Sequence, residues 1–297
     1  MTAVWFEETL HPDYGQRFLI TRTLFRQKTD FQELAIHETP AFGRILTLDG
    51  VCQTTEKDEF FYHEMMTHLP ILAHGQVRKV LIIGGGDGGI LEEALKHRTI
   101  EKVTLVEIDP AVIELTKTYI PAIPGQAFED PRTDLVIGDG VKFVAECQEK
   151  YDLVIVDSTD PIGPAEVLFH ADFYGMCKSR LTERGIMVTQ NGVPFLQPDE
   201  FTTTYKRLRG LFADAGFYFV PVPTYVGGVM SLSWASLDPA HRQHSRDTIA
   251  QRFAASRIDT QYYTPDIHLG AFAMPAYLRK MIDRLDLDRP RLNQSGS

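Results

Sequence analysis

The sequence predicts an α/β protein: a doubly wound parallel sheet closed by a terminal antiparallel hairpin and preceded by a small N-terminal β-domain. Three observations carry that prediction. After Val77, strand-length runs rich in Val, Ile and Leu alternate with helical stretches, as expected when both faces of a parallel sheet are covered. Before it, residues alternate apolar and polar around short turn signals. Between the two regimes, a glycine cluster follows the first parallel run and opens a helix.

The β-domain comes first. Arg17 to Lys28 and Phe31 to Glu38 alternate and flank the turn Thr29-Asp30. A second pair, Arg44 to Leu48 and Val51 to Thr54, is joined by Asp49-Gly50, a strong hairpin signal. Asp58 to Leu69 then has helical spacing, with Phe61, Met65 and Leu69 on one side. The parallel strands are expected at Lys79 to Ile83, Val103 to Glu107, Asp134 to Ile137, Asp152 to Val156 and Ile186 to Thr189. Phe217 to Thr224 and Met230 to Ala235 flank Gly227-Gly228 and read as the closing hairpin. From Pro239 the chain reads as helical, packed on the outside. The expected division is residues 1–70 as the β-domain, 71–290 as the doubly wound domain and 291–297 as a disordered tail.

Composition narrows the function classes. Hydrophobic residues make up 43% and charged residues 24% of 297, which suits a soluble globular protein. The net charge of -10, with no basic stretch to neutralise phosphates, argues against a nucleic-acid partner. Cys52, Cys147 and Cys177 form neither a disulfide framework nor a Cys-x-x-Cys pair, so no metal site is expected from them. The longest apolar runs are strand-sized, so no membrane partner is expected, and the start lacks a signal-peptide pattern; the cytoplasm is the expected compartment.

The glycine cluster is Gly84-Gly85-Gly86-Asp87-Gly88-Gly89, in which Gly84, Gly86 and Gly89 satisfy the Gly-x-Gly-x-x-Gly spacing. Glu107 ends the next strand, where an acid can accept hydrogen bonds from ribose hydroxyls. Asp87 decides between ligands. A carboxylate in this loop would repel a pyrophosphate, with no cation nearby in sequence to offset it. An adenosine carrying a cationic sulfonium would be attracted instead. Asp139-Gly140 ends the third strand and Asp157 ends the fourth. A lone strand-end aspartate is usually a helix N-cap, but four acids converging on one crevice repel each other unless a cation joins them.

These residues carry a resemblance. Gly-Gly-Gly-Asp-Gly at 84–88 with Asp-Ser-Thr-Asp-Pro-Ile-Gly-Pro at 157–164 resembles the signature pair of bacterial spermidine synthases. Residues 48–56, 58–66, Gln190-Asn191-Gly192 and 223–228 are similar to the family as well, so the resemblance runs from about Trp5 to Leu278. It implies a methyltransferase-like Rossmann domain behind the β-domain, assembled as a homodimer or homotetramer. It implies an aminopropyltransferase acting on decarboxylated S-adenosylmethionine, a co-substrate and not a cofactor, and on a diamine such as putrescine. By the same resemblance Gln32, Gly84, Gly86, Asp87, Glu107, Asp139, Gly140 and Pro164 bind the nucleoside donor, Asp87 taking its ammonium. Tyr62, His63, Asp87, Asp157, Ser158, Thr159, Asp160 and Tyr225 line the diamine site, with Asp157 as proton acceptor. Residues 158 to 169 are implied to close over bound substrates.

The implied chemistry is displacement at a carbon beside a sulfonium, with neutral methylthioadenosine leaving. Such a leaving group calls for no oxyanion hole or metal; positioning and deprotonation of the amine remain. An alkylammonium near 10.4 faces an aspartate near 3.9, a gap of roughly 6.5 units that burial narrows from both sides. A methyltransferase, and a non-catalytic polyamine- or nucleoside-binding protein on the same fold, remain the alternatives. From spacing alone His63 reads as a structural helix residue, Tyr225 as a turn anchor and Gln32 as surface.

Overall fold

A computed structural model describes residues 3–158 and 168–287. Its N-terminal part holds β1 (Val4–Glu7), β2 (Arg17–Ile20), β3 (Arg22–Lys28), β4 (Glu33–Thr39), β5 (Gly43–Leu48) and β6 (Val51–Thr55). The alternating run from Arg17 to Lys28 is two strands. Its first part pairs antiparallel with β1, and the chain then crosses at Thr21 to pair with β4. Strand β1 lay outside the sequence expectation. Strands β3 to β6 form one antiparallel sheet, and Asp49 and Gly50 take the positive φ values, 48° and 78°, that their two-residue turn needs.

The second part is a seven-stranded sheet. Its strands are β7 (Lys79–Gly84), β8 (Lys102–Glu107), β9 (Thr133–Ile137), β10 (Tyr151–Asp157), β11 (Leu181–Gln190), β12 (Asp214–Val220) and β13 (Met230–Ser236). They lie in the order β12-β13-β11-β10-β7-β8-β9. Strands β7 to β11 pair in parallel, whereas β13 is antiparallel to both β11 and β12, as the terminal hairpin requires. Strand β12 ends at Val220, short of the expected Thr224, because Pro221 and Pro223 follow and cannot donate to a ladder.

Nine helices are described: α1 (Glu59–His74), α2 (Gly89–Lys96), α3 (Pro110–Tyr119), α4 (Gly140–Glu146), α5 (Ala171–Ser179), α6 (Pro198–Leu211), α7 (Arg246–Ser256), α8 (Pro265–Ala271) and α9 (Ala276–Leu287). Alternate residues of the apolar strands feed two cores. Val80, Ile82, Leu105 and Ile155 pack with Met65, Leu69 and Ile90 of α1 and α2 on one face. Leu81, Ile83, Val154 and Val156 pack with Val144, Phe173 and Leu208 on the other. A third core seats the small sheet on α3: Leu34, Ile36 and Leu46 meet Val112, Leu115 and Ile120. Among the described residues no helix is long and apolar enough to cross a membrane.

This order places the crevice. From β7 the chain steps outward to β8 and β9, then returns to β10 on β7's other side, so the β7 and β10 carboxyl ends meet at a topological switch point. Gly84 and Asp157 are partners in the last rung there.

Candidate active site

A cavity of about 490 Å³ opens at that switch point, walled by the glycine loop, the ends of β8, β9 and β10, helix α1 and the small N-terminal sheet. The glycines are there because nothing larger fits. A Cβ on Gly84, whose φ is +81°, would lie 1.9 Å from the Asp157 carbonyl oxygen, and one on Gly86 would lie 2.7 Å from Oε2 of Glu107. The loop therefore lies flat against both strand ends and leaves the crevice open.

Glu107 is buried and doubly anchored. The backbone N–H of Gly86 donates to its Oε2 at 3.1 Å and that of Asp109 to its Oε1 at 2.8 Å. Burial, the largest influence, pushes its carboxyl up to about 7 despite these bonds. Asp139 is the N-cap of α4, its Oδ1 accepting from the N–H groups of Val141 at 2.7 Å and Lys142 at 3.2 Å; it also lines the cavity, so capping and wall are one residue. Gly140 follows it closely packed, since a Cβ there would lie 2.5 Å from Ile83. Gln32 reaches the same end of the cavity from the turn between β3 and β4, and its amide Nε2 donates to Oδ2 of Asp109 at 3.1 Å.

The other end is built from α1. Tyr62 and His63 sit in its first turns, both buried. The Tyr62 hydroxyl donates to Oδ1 of Asp157 at 2.6 Å. His63 lies between two carboxylates, Nδ1 at 2.7 Å from Glu59 and Nε2 at 3.2 Å from Asp87. Burial alone would lower the imidazole's pKa, but Asp87 and Glu59 outweigh it and hold it well above the ordinary value. Burial would likewise raise Asp87; His63 and the Gly89 N–H, 3.0 Å away, keep it below the usual range. Among the described residues Asp157 has no cation in direct contact, and His63 acts on it only as the weakest of the influences. Burial, then the charge of Asp87, pushes it up to about 7 against the pull of the Tyr62 bond. Tyr225 faces the cavity from the segment after β12, its hydroxyl donating to the Gln53 carbonyl at 2.7 Å, so it anchors a turn and forms a wall together.

Sequence reasoning located most of this set and missed part of it. The cavity brings together Gln32, Tyr62, His63, Gly84, Gly86, Asp87, Glu107, Asp139, Gly140, Asp157, Ser158 and Tyr225. Thr159, Asp160, Pro164 and most of the proposed closing loop lie outside the described residues. No cation lies near Asp87 in sequence, but folding brings His63 to 3.2 Å from it. Glu59 went unnoticed, although Glu-x-x-x-His on a helix is an i, i+4 pair. So did Asp109, whose Asp-Pro start marks the N-cap of α3, and Asp58, whose Oδ2 accepts from both the N–H and the hydroxyl of Thr224, next to Tyr225.

Comparison with known proteins agrees with this geometry. Residues 59–245 match the model of the spermine/spermidine synthase domain, and residues 4–56 match that of the spermidine synthase tetramerisation domain. The chain is 53% identical over 275 residues to a polyamine aminopropyltransferase of Pectobacterium carotovorum subsp. carotovorum, covering 93% of this chain and 96% of that protein. It is also 53% identical over 283 residues to polyamine aminopropyltransferase 1 of Pseudomonas aeruginosa, covering 95% and 99%. Among solved structures, a spermidine synthase in complex with the transition-state analogue AdoDATO superposes with a TM-score of 0.90 at 34% identity, covering 95% of each chain. Spermidine synthase from Thermotoga maritima superposes with a TM-score of 0.89 at 33% identity, covering 96% of each. With both family models matched and identity above half across nearly its whole length, the chain belongs to the spermine/spermidine synthase family.

Proposed function

We propose that the cavity carries out aminopropyl transfer with Asp157 as proton acceptor and Asp87 as counter-ion of the donor's ammonium. The chain is a polyamine aminopropyltransferase, an enzyme that moves the aminopropyl group of decarboxylated S-adenosylmethionine to putrescine, giving spermidine and 5'-methylthioadenosine. The nucleoside lies along Gln32, Glu107, Asp139 and Gly140, which places its sulfonium near Asp87. The diamine enters past Tyr62, His63 and Tyr225. Its nitrogen lone pair forms the new C–N bond as the C–S bond breaks, the C–S electrons returning to sulfur, and the surplus N–H proton passes to Asp157.

One observation carries the proton step: Asp157 is buried beside a second carboxylate and is pushed up to about 7. That value narrows the gap to an ammonium from the carboxylate side, so transfer during bond formation is less uphill than with an ordinary aspartate. The same pair of acids, 87 and 157, suits a dication chain more than a methyl acceptor without charge. Assembly as a homodimer or homotetramer through the β-domain (residues 1–70), a catalytic domain of residues 71–290, and a cytoplasmic location complete the proposal. The test is to mix the protein with decarboxylated S-adenosylmethionine and a panel of diamines and to follow methylthioadenosine release. Release fastest with putrescine supports the reading; donor binding without release from any amine sinks it in favour of a sensor.

A further inference from the structure

Gln32 presents an amide to the nucleoside end of the cavity, and what it presents depends on a residue that does not line the cavity. Asp109 is 1% exposed and sits behind the cavity wall. Its Oδ1 accepts from the N–H of Ala111 at 3.1 Å, capping α3. Its Oδ2 accepts from the Thr29 hydroxyl at 2.8 Å and from the Gln32 Nε2 at 3.1 Å. Its own N–H holds Oε1 of Glu107 at 2.8 Å. The Asp109 side chain thus ties the β3–β4 turn to the start of α3, while its backbone N–H holds Glu107.

We propose that Asp109 is a positioning residue for the donor nucleoside: by accepting the Gln32 N–H it turns the Gln32 carbonyl oxygen toward the cavity. A carboxylate can only accept, so the amide nitrogen must face Asp109 and the amide oxygen is left for the ligand. Thr29 reinforces the seat: its hydroxyl bonds Asp109 while accepting from the N–H groups of Phe31 at 3.1 Å and Gln32 at 3.2 Å, which holds the turn against α3. The ligand atom recognised is therefore a donor, a hydroxyl or amino group of the nucleoside. Gln32 touches the ligand; Asp109 acts through it. The inference rests on the nucleoside reading given above.

Asp109→Asn separates the roles. The Ala111 N–H is fixed by the backbone and keeps the asparagine oxygen as cap, and Asn caps a helix about as well as Asp. The asparagine NH₂ then faces Gln32, whose amide must flip and offer an N–H to the ligand. Equilibrium dissociation constants for 5'-methylthioadenosine would be measured for the wild type, Asp109→Asn, Gln32→Ala, the two combined, and Asp109→Asn with Gln32→Glu. Each single substitution should weaken binding by about five- to tenfold, the loss of one well-placed hydrogen bond. The combined Asp109→Asn, Gln32→Ala protein should bind no worse than Gln32→Ala alone, because the second change has nothing left to misorient. Adding Gln32→Glu to Asp109→Asn should recover most of the loss, since a glutamate accepts from the introduced asparagine amide and again offers an oxygen to the cavity. Additive losses, or no recovery with Gln32→Glu, would overturn the role of Asp109. A wild type that does not bind methylthioadenosine at all would overturn the nucleoside reading itself, and this inference with it.

Discussion

The Tyr62 hydroxyl is 2.6 Å from Oδ1 of Asp157, and it is the strongest single pull toward ionisation on that carboxylate. Burial and Asp87 push the other way, to about 7. Tyr62→Phe removes the pull and leaves the push, so the Asp157 value rises further. The acid limb of kcat/KM for the amine should move to higher pH, with turnover at neutral pH down by about tenfold. A limb that does not move would mean that some other group takes the proton.

Asp157→Asn should abolish most turnover, by about 10²- to 10⁴-fold, while methylthioadenosine still binds. It should also stabilise the ligand-free protein. A carboxyl raised by folding, here from 3.8 to about 7, lends stability that is whole below the lower value and is lost as pH rises through the higher. At pH above 7 the wild type therefore holds a buried charge beside Asp87 that asparagine does not carry. Denaturant unfolding should find the variant more stable by roughly 1–3 kcal/mol on the alkaline side. The gap should close as pH falls toward the ordinary carboxylate value; a constant gap would assign it to packing.

Glu59 and Asp87 together make His63 a cation. With Nδ1 fixed as a donor to Glu59, a neutral ring would turn a lone pair on Nε2 toward Asp87, so only the imidazolium satisfies both. Besides those two, Glu93 on α2 and Asp157 on β10 are the charges that act around it among the described residues. Glu59→Gln removes one of the two groups that raise His63 and leaves the burial that lowers it, so the imidazole should titrate at lower pH. Nitrogen chemical shifts of labelled histidine report this directly. An unchanged titration would show that Asp87 alone holds the proton.

Gly89 opens α2 against the same ring. A Cβ there would lie 2.1 Å from Nδ1 and 2.2 Å from Cε1 of His63, and the ring is pinned on both sides and cannot retreat. Gly89→Ala should displace His63 from both carboxylates and raise the KM for the donor by tenfold or more. Gly175→Ala, in α5 with nothing within 4 Å of its Cβ, is the control. It should leave activity intact and add up to about 1 kcal/mol of stability.

What the sequence made legible follows from what is local. The parallel strands stood out because runs such as Val80–Ile83 and Leu153–Val156 are apolar on both faces, a pattern set by residues adjacent in the chain. Asp87, Glu107, Asp139 and Asp157 were legible for the same reason: each ends or follows a strand. Strand β1 was not, since Val4 and Trp5 are largely exposed and the strand is specified by pairing with β2. His63 read as an ordinary helix residue because its meaning comes from Asp87, which only folding brings to 3.2 Å. Asp109 was hidden differently. Its visible job is to cap α3, and its bond to Gln32 crosses 77 residues to join the start of α3 to the β3–β4 turn.

Asp87 bears on which sulfonium the enzyme accepts. Ordinary S-adenosylmethionine differs from the decarboxylated donor by a carboxylate on the carbon that carries the ammonium. His63 holds the Asp87 carboxyl below its usual range and so ionised; with the donor placed as proposed above, that charge, only partly offset by His63, is expected to disfavour a second carboxylate beside the ammonium. Asp87→Asn keeps the shape and an oxygen for the Gly89 N–H while removing the charge. The variant should bind the decarboxylated donor about tenfold or more weakly and ordinary S-adenosylmethionine no less well than the wild type, so the ratio of the two dissociation constants narrows. Charge then does the sorting. If the ratio is unchanged, the walls of the cavity exclude the carboxylate by shape, and Asp87 contributes only attraction for the ammonium.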